Sequence, residues 1–485
     1  MKNQGFLHKW LGASLMLVLL AFPALLAQET ISITTVSPQA REKFKAGREH
    51  FNLMNFSQSI EHLEKAIELD PSFALAHLYL STAKLRGTWF EEKNLEKAVN
   101  WADRVSEGEQ DLIYMSKALV EGDGQSLGKH RKNLIHLYPE DENARLWVSA
   151  FYLLEGDLQQ AIDHSAEATR INPEFAPAYN ILGYTYSLLG KPREAEKAIL
   201  KGIELVPDNA NIYDTYGDFL LRNGRFSESI VQFNKALELD PQYAISHRGL
   251  GDVYLFLGNF NQARKHYQIF SEDMVDHTNK FNGLLYQAAV DMHENRPDSA
   301  LIRMDHYIQM AEEMNLPYNQ IMGEAYKGYI LTETGSPAEG LNQYRRAGKM
   351  IETANLPQAM EDNLNTQARL WEFYSLTANG DMEAAEQARL QAKTAIQVTD
   401  NPSQWKIYHQ IYGVLQLHKG LYDQARQNLA QAWDSPETWY YMGLTWDKQG
   451  NKNKAQQWYQ KVAYYYQNSL ELGGVRNKAL AGLKE

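Results

Sequence analysis

Among side chains that could act together chemically, carboxylates are the most numerous in this 485-residue chain. Asp214 and Asp218 stand four residues apart, one turn of a helix, so both would project from one face as paired acid/base work requires. Nothing around them completes such a site. The chain has no His-Glu-x-x-His, no phosphate loop ending Gly-Lys-Ser/Thr, no Gly-x-Ser-x-Gly elbow and no dinucleotide fingerprint. Its 14 histidines, His62, His164, His247 and His266 among them, show no metal-ligand spacing on one helix face. Cysteine is absent, which removes disulfides, thiol catalysis and Cys-based zinc or iron–sulfur sites. The expectation is a chain with no catalytic residue, metal or cofactor, its carboxylates forming a polar helix face.

The elements that would carry these residues follow a repeat. Gly122, Gly156, Gly190, Gly224 and Gly258 are each 34 residues apart, and Pro139, Pro173, Pro207 and Pro241 keep the same interval. So do Ala161, Ala195, Ser229 and Ala263. A period of this length means an array of small supersecondary units. Between Gly224 and Pro241, the apolar residues Phe226, Ile230, Phe233, Ala236, Leu237 and Leu239 recur every three or four positions, which describes an amphipathic helix. The stretch Tyr213 to Leu221 predicts a partner helix, ended where glycine accepts the left-handed cap. Proline then closes each pair.

This pattern resembles the tetratricopeptide repeat family, most closely from Ala176 to Phe270. One copy reads Tyr179, Leu182, Gly183, Tyr186, Ala195, Ile199 and Pro207; the next reads Tyr213, Tyr216, Gly217, Leu220, Ser229, Phe233, Ala236 and Pro241. A third has His247, Leu250, Gly251, Tyr254, Ala263, Tyr267 and Phe270. The resemblance implies an all-α fold, a right-handed α-solenoid of about twelve helix-turn-helix repeats with a C-terminal capping helix. Residues 40–275 are assigned to the regular array and 276–465 to longer repeats, whose turn markers become Asn295, Gly335, Gly380, Gly420 and Gly450. The extra residues should lengthen helices, one of them running from Leu341 to Asn355. Gly340 in place of the usual alanine and Phe373 in place of the usual glycine make the repeat from Thr366 to Thr399 the least regular. The segment Gly87 to Lys93 is an insertion between two helices, and residues 466–485 are read as a polar cap, helical from about Asn468 to Leu483.

In this family the first helix of each pair lines a concave face. The resemblance therefore assigns Asn180 and Tyr184, Asp214 and Asp218, and Arg248 and Asp252 to a partner-binding stripe suited to an extended peptide. The lysine and asparagine clamp with which some members hold a terminal carboxylate is not reproduced. Asn180 alone matches in type, and Asp214, Asp218 and Asp252 would repel a carboxylate, so a neutral or basic segment is expected. The functional expectation is an exported, non-enzymatic scaffold for a protein or peptide partner. The alternative is a module that binds carbohydrate or an envelope polymer through C-terminal aromatics, with Trp439, Trp446 and Tyr459 in the core and Tyr440 and Tyr441 exposed.

Composition agrees with a globular chain, 44% hydrophobic and 22% charged. A net charge of −12, with no run of five or six basic residues, argues against nucleic acid or an anionic membrane surface as partner. Residues 1–27 have the build of a signal peptide: Lys2, His8 and Lys9, an apolar run from Leu11 to Phe22, then Pro23 to Ala27. That run is shorter than a spanning helix needs, so cleavage would leave no membrane span. Residues 28–39 are read as a linker, and the mature chain is expected in the periplasm or outside the cell.

Overall fold

The structure is a computed structural model that describes residues 30–85, 90–272, 277–399 and 401–484. The signal segment 1–27 and residues 87–89 of the insertion lie outside the described residues. All regular structure among the described residues is helical. The chain divides into two compact units, Met1–Ala178 and Tyr179–Glu485.

The first unit contains α1 (Pro38–Asn52), α2 (Phe56–Leu69), α3 (Ala74–Lys84), α4 (Glu92–Trp101), α5 (Glu107–Glu121), α6 (Gly124–Leu137), α7 (Glu142–Glu155) and α8 (Leu158–Ile171). The division falls within α9 (Ala176–Leu188). The second unit continues with α10 (Pro192–Leu205), α11 (Ala210–Arg222), α12 (Phe226–Leu239), α13 (Ala244–Phe256) and α14 (Phe260–Ser271). Longer helices follow: α15 (His277–His293), α16 (Pro297–Glu313), α17 (Pro317–Glu333), α18 (Pro337–Ile351), α19 (Gln358–Ala378), α20 (Met382–Thr399) and α21 (Pro402–His418). The chain ends with α22 (Tyr422–Leu429), α23 (Pro436–Lys448), α24 (Lys452–Ala463) and α25 (Leu470–Gly482). These are twelve consecutive helix pairs and a final helix, an all-α tetratricopeptide-type solenoid.

Local chemistry explains the punctuation. Each turn marker from Gly122 to Gly450, Asn295 included, has a positive φ between 56° and 97°, a left-handed turn that glycine and asparagine enter at least cost. The sequence expectation of longer helices after the regular region is met for α15 to α21, which span 15 to 21 residues against 12 to 14 in α10 to α14, and not for α22 to α24, which span 8 to 13. One boundary differs. The helix expected to reach Asn355 ends at Ile351, and Asn355 itself turns left-handed at φ 47°. Gly340 is explained by close packing, since a Cβ there would stand 2.4 Å from Thr332 Oγ1 and 2.7 Å from the Gly328 carbonyl oxygen.

In the first unit the part of the 28–39 linker that is described is not a free tether. The Ile31 amide donates to Asp141 Oδ2 at 2.7 Å, Thr34 donates to Glu109 through its amide (2.8 Å) and hydroxyl (2.5 Å), and Thr35 donates to Asp70. Residues 31–35 thus cross the starts of α7 and α5, where unpaired helix N–H groups favour carboxylates, and the end of α2, where Asp70 is the C-cap. The inner face of this unit fills itself. Trp147 donates to the Tyr79 hydroxyl at 2.8 Å, Phe51 stacks on Trp147 at 6.0 Å, and Asn52 donates to Asn143 at 2.9 Å, joining α1 to α7.

The C-terminal helix does more than cap. It covers α23 and α24 and also packs on α15. Its apolar face carries Leu472, Val475 and Ala479, all fully buried, so the expectation of a polar terminal cover is corrected. Gly473 makes the approach possible: a Cβ there would lie 2.8 Å from Met292 Cβ and 3.1 Å from the Ala289 carbonyl oxygen. Asn477 donates to the His293 carbonyl at 2.9 Å, and Lys478 pairs with Glu333 at 2.7 Å.

Candidate functional site

The expected stripe exists as a set of neighbours on α9, α11 and α13, but it is half-buried or buried. Asp214 accepts from the Ser246 hydroxyl at 2.7 Å, Asp218 pairs with Arg222 at 2.6 Å, and Asp252, 5% exposed, accepts from the Tyr267 hydroxyl at 2.5 Å. Burial pushes the Asp214 and Asp252 carboxyls up to about 6. Burial would lower Arg248, but the charges of Asp252, Asp218 and Asp214 outweigh it and hold the guanidinium protonated. Asn180 Oδ1 and Arg248 Nε are buried without a hydrogen-bond partner among the described residues. Tyr184 is half-buried within electrostatic reach of Arg222.

What lies against this stripe is the chain's own C-terminal segment. Residues 465–469 connect α24 and α25 without regular structure. Asn468 donates to the Tyr267 hydroxyl at 2.9 Å and to the Tyr286 carbonyl at 3.2 Å, so Asp252, Tyr267 and Asn468 form one chain of hydrogen bonds. Tyr466 packs edge-on against Phe226 (5.0 Å) and Phe256 (5.3 Å), and Tyr465 against Trp439 (5.3 Å). The segment is thus held through its own side chains, Asn468 by hydrogen bonds and Tyr465 and Tyr466 by ring contacts, within one chain.

Farther along the second unit the inner faces of the first helices stay open. A half-open cavity of about 330 Å³ is lined by residues of α17, α18, α19, α21, α23 and the first turn of α25. Tyr326, Tyr329, Trp371 and Tyr374 supply its aromatic wall, and Gln410, Glu437 and Glu471 its polar groups. Glu437, 9% exposed, accepts from the Tyr329 hydroxyl at 2.6 Å and from Gln410 Nε2 at 2.8 Å. Burial, with Glu333 and Glu471 nearby, pushes its carboxyl up to about 7. Burial, with the charges of Glu333 and Glu437, raises Tyr329 and Tyr374 well above the ordinary phenol range, so both remain hydrogen-bond donors. A second cavity of about 520 Å³ includes Glu333, Tyr374, Tyr440, Tyr441 and Lys478 in its wall.

Tyr440 and Tyr441 are therefore half-buried cavity residues and not the exposed pair the aromatic density suggested. Sequence reading missed Tyr329, Tyr374, Gln410 and Glu437 because the 34-residue register that locates inner-face positions is lost after Phe270. A signal was present: Tyr326 with Tyr329 and Trp371 with Tyr374 are aromatic pairs three residues apart, one helix turn, on successive first helices. Among the described residues no three His, Asp or Glu side chains gather as a metal ion would need, and no helix is long and apolar enough to cross a membrane.

None of the curated proteins compared matches the chain. Among solved structures, Pseudomonas aeruginosa pilF is 18% identical over 52% of this chain and 90% of its own, with a TM-score of 0.29. A tetratricopeptide repeat protein from Parabacteroides merdae is 18% identical over 54% of this chain and 99% of its own, TM-score 0.33. A thermophilic protein of the same repeat type from Thermus thermophilus is 21% identical over 43% and 94%, TM-score 0.27. Family descriptions match directly: "Tetratricopeptide repeat" at residues 43–73, 176–209 and 437–469, and "TPR repeat" at 217–258. Those matches fall on helix pairs near both ends of the solenoid and in its regular middle, and the chain belongs to the tetratricopeptide repeat family.

Proposed function

We propose that this chain is an exported, non-enzymatic scaffold that holds a neutral or basic segment of a protein partner on the inner face of its longer repeats. Tetratricopeptide repeats support a protein-interaction scaffold in general. The placement rests on one observation, the cavity lined by four successive first helices, α17, α19, α21 and α23. It moves the partner away from Asp214, Asp218, Arg248 and Asp252, because residues 465–469 already lie against that stripe. The second reading, a carbohydrate or polymer surface built on Tyr440 and Tyr441, is not favoured, since both rings stand in a cavity wall.

A photo-crosslinking side chain at Gln367, on the cavity wall, should capture a discrete partner when the full chain is made in its own cells. The same group at the exposed Gln309 should not. Equal capture from both positions, or none from Gln367, would overturn the placement. Export is tested by the N-terminal residue of the mature chain, expected to be Gln28, and retention of Met1 would count against it.

A further inference from the structure

We infer that the cavity between α17 and α25 takes an organic cation, the ammonium or guanidinium group of a Lys or Arg side chain in the partner segment. The source of the cation rests on the scaffold reading; its chemistry rests on the cavity alone.

The wall of this cavity is rich in π-systems. Tyr329 and Tyr374 lie nearly parallel at 6.1 Å between ring centres, and Tyr344 and Trp371 do the same at 5.8 Å. Such rings attract a cation through their negative faces, most strongly where water is excluded. Glu437 supplies the charge. It is the second residue of α23, after the Ser435 cap and Pro436, where the helix start favours a carboxylate. Tyr329 and Gln410 orient both of its oxygens, yet these donors are neutral and leave its charge unbalanced. No Lys or Arg pairs with Glu437 among the described residues.

The neighbouring acid shows what balance looks like here. Glu333, its side chain buried, has Lys478 at 2.7 Å and also accepts from the Tyr374 hydroxyl. Glu437 has the hydroxyl and no lysine. Glu471, exposed at the cavity mouth, adds a second carboxylate with no ion pair among the described residues. A buried carboxylate without a counter-charge is held at a cost, which a cation entering the cavity beside the rings would remove. A neutral sugar could use the same hydroxyls and rings but would leave that charge uncompensated, and an acidic ligand would be repelled.

The test uses the full chain and calorimetry with capped peptides, acetyl-Gly-Gly-X-Gly-Gly-amide with X as Lys, Arg, Gln or Glu, together with butylammonium chloride. The Lys and Arg peptides should bind at least about tenfold more tightly than the Gln peptide, and the Glu peptide should show no heat of binding. Glu437→Gln, which keeps the shape, should abolish that preference. Glu471→Gln, at an exposed position that cannot endanger folding, should weaken the Lys peptide by about two- to threefold. Equal binding of the Lys and Gln peptides, or an unchanged preference in both variants, would overturn the inference. Butylammonium binding as tightly as the Lys peptide would overturn the assignment to a partner's side chain. Crosslinking at Gln367 separates the two readings: capture without a Lys preference removes the cation and leaves the scaffold, and loss of both removes the scaffold.

Discussion

Leu472→Ala tests whether the C-terminal helix is part of the second unit's core or a detachable cover. Leu472 is fully buried and belongs to a cluster with Trp439, Tyr459, Val462 and Val475, packed where α25 meets α23 and α24. The truncation removes about 2 kcal/mol of transfer free energy at ~0.8 kcal/mol per buried carbon. The space left behind raises the total to about 3–4 kcal/mol, since the aromatic rings around it cannot collapse fully. A polar cover would lose no more than about 0.5 kcal/mol. A single melting curve is the wrong assay, because a chain of this length with two units does not unfold in one step. Native-state hydrogen exchange resolves the elements separately. Amides of α15, α23, α24 and α25 should exchange about 100-fold faster or more, equivalent to roughly 3 kcal/mol. Helices α1 to α8, whose core contains no residue of α25, serve as the reference. A loss under about 1 kcal/mol in α25, or a loss confined to α25 with α15 unchanged, would refute the reasoning.

Asn468→Ala removes the donor to Tyr267 and to the Tyr286 carbonyl and should cost about 1–3 kcal/mol, seen as faster exchange in α14 and α15; an unchanged rate would mean the segment is not held there. Asp141→Ala removes the Ile31 contact and the cap on Asn143 and Ala144, so α7 should lose about 1–2 kcal/mol and the Ile31 amide its protection, both read by exchange. The Glu437 carboxyl is raised in the folded chain from 4.5 to about 7, so the folded state holds its proton more tightly than the unfolded one. That stability is fully present below about pH 4.5 and is lost as the pH rises through about 7, by a total of about 3 kcal/mol. Urea midpoints of the second unit should therefore fall more steeply from pH 5 to 8 in the parent than in Glu437→Gln, and parallel curves would contradict the shift.

The sequence by itself determined whatever depends on near neighbours. The glycine interval placed the left-handed turns, the three- and four-residue spacing gave the helices and their buried faces, and together they gave the number of pairs. Turn and helix chemistry act over a few residues, so their signals lie next to one another in the chain. Only the tertiary structure decided what the inner faces meet. Asn468 finds Tyr267 and Tyr286 across 201 and 182 positions, and no period in the sequence announces that pairing. The same distance hid the site: Tyr329 and Glu437 are 108 residues apart, and each alone reads as an ordinary helix residue. Tyr440 and Tyr441 carried the right chemistry but no sign of direction, because the cavity they line is completed by Glu333 and Tyr374, which lie far from them in the chain.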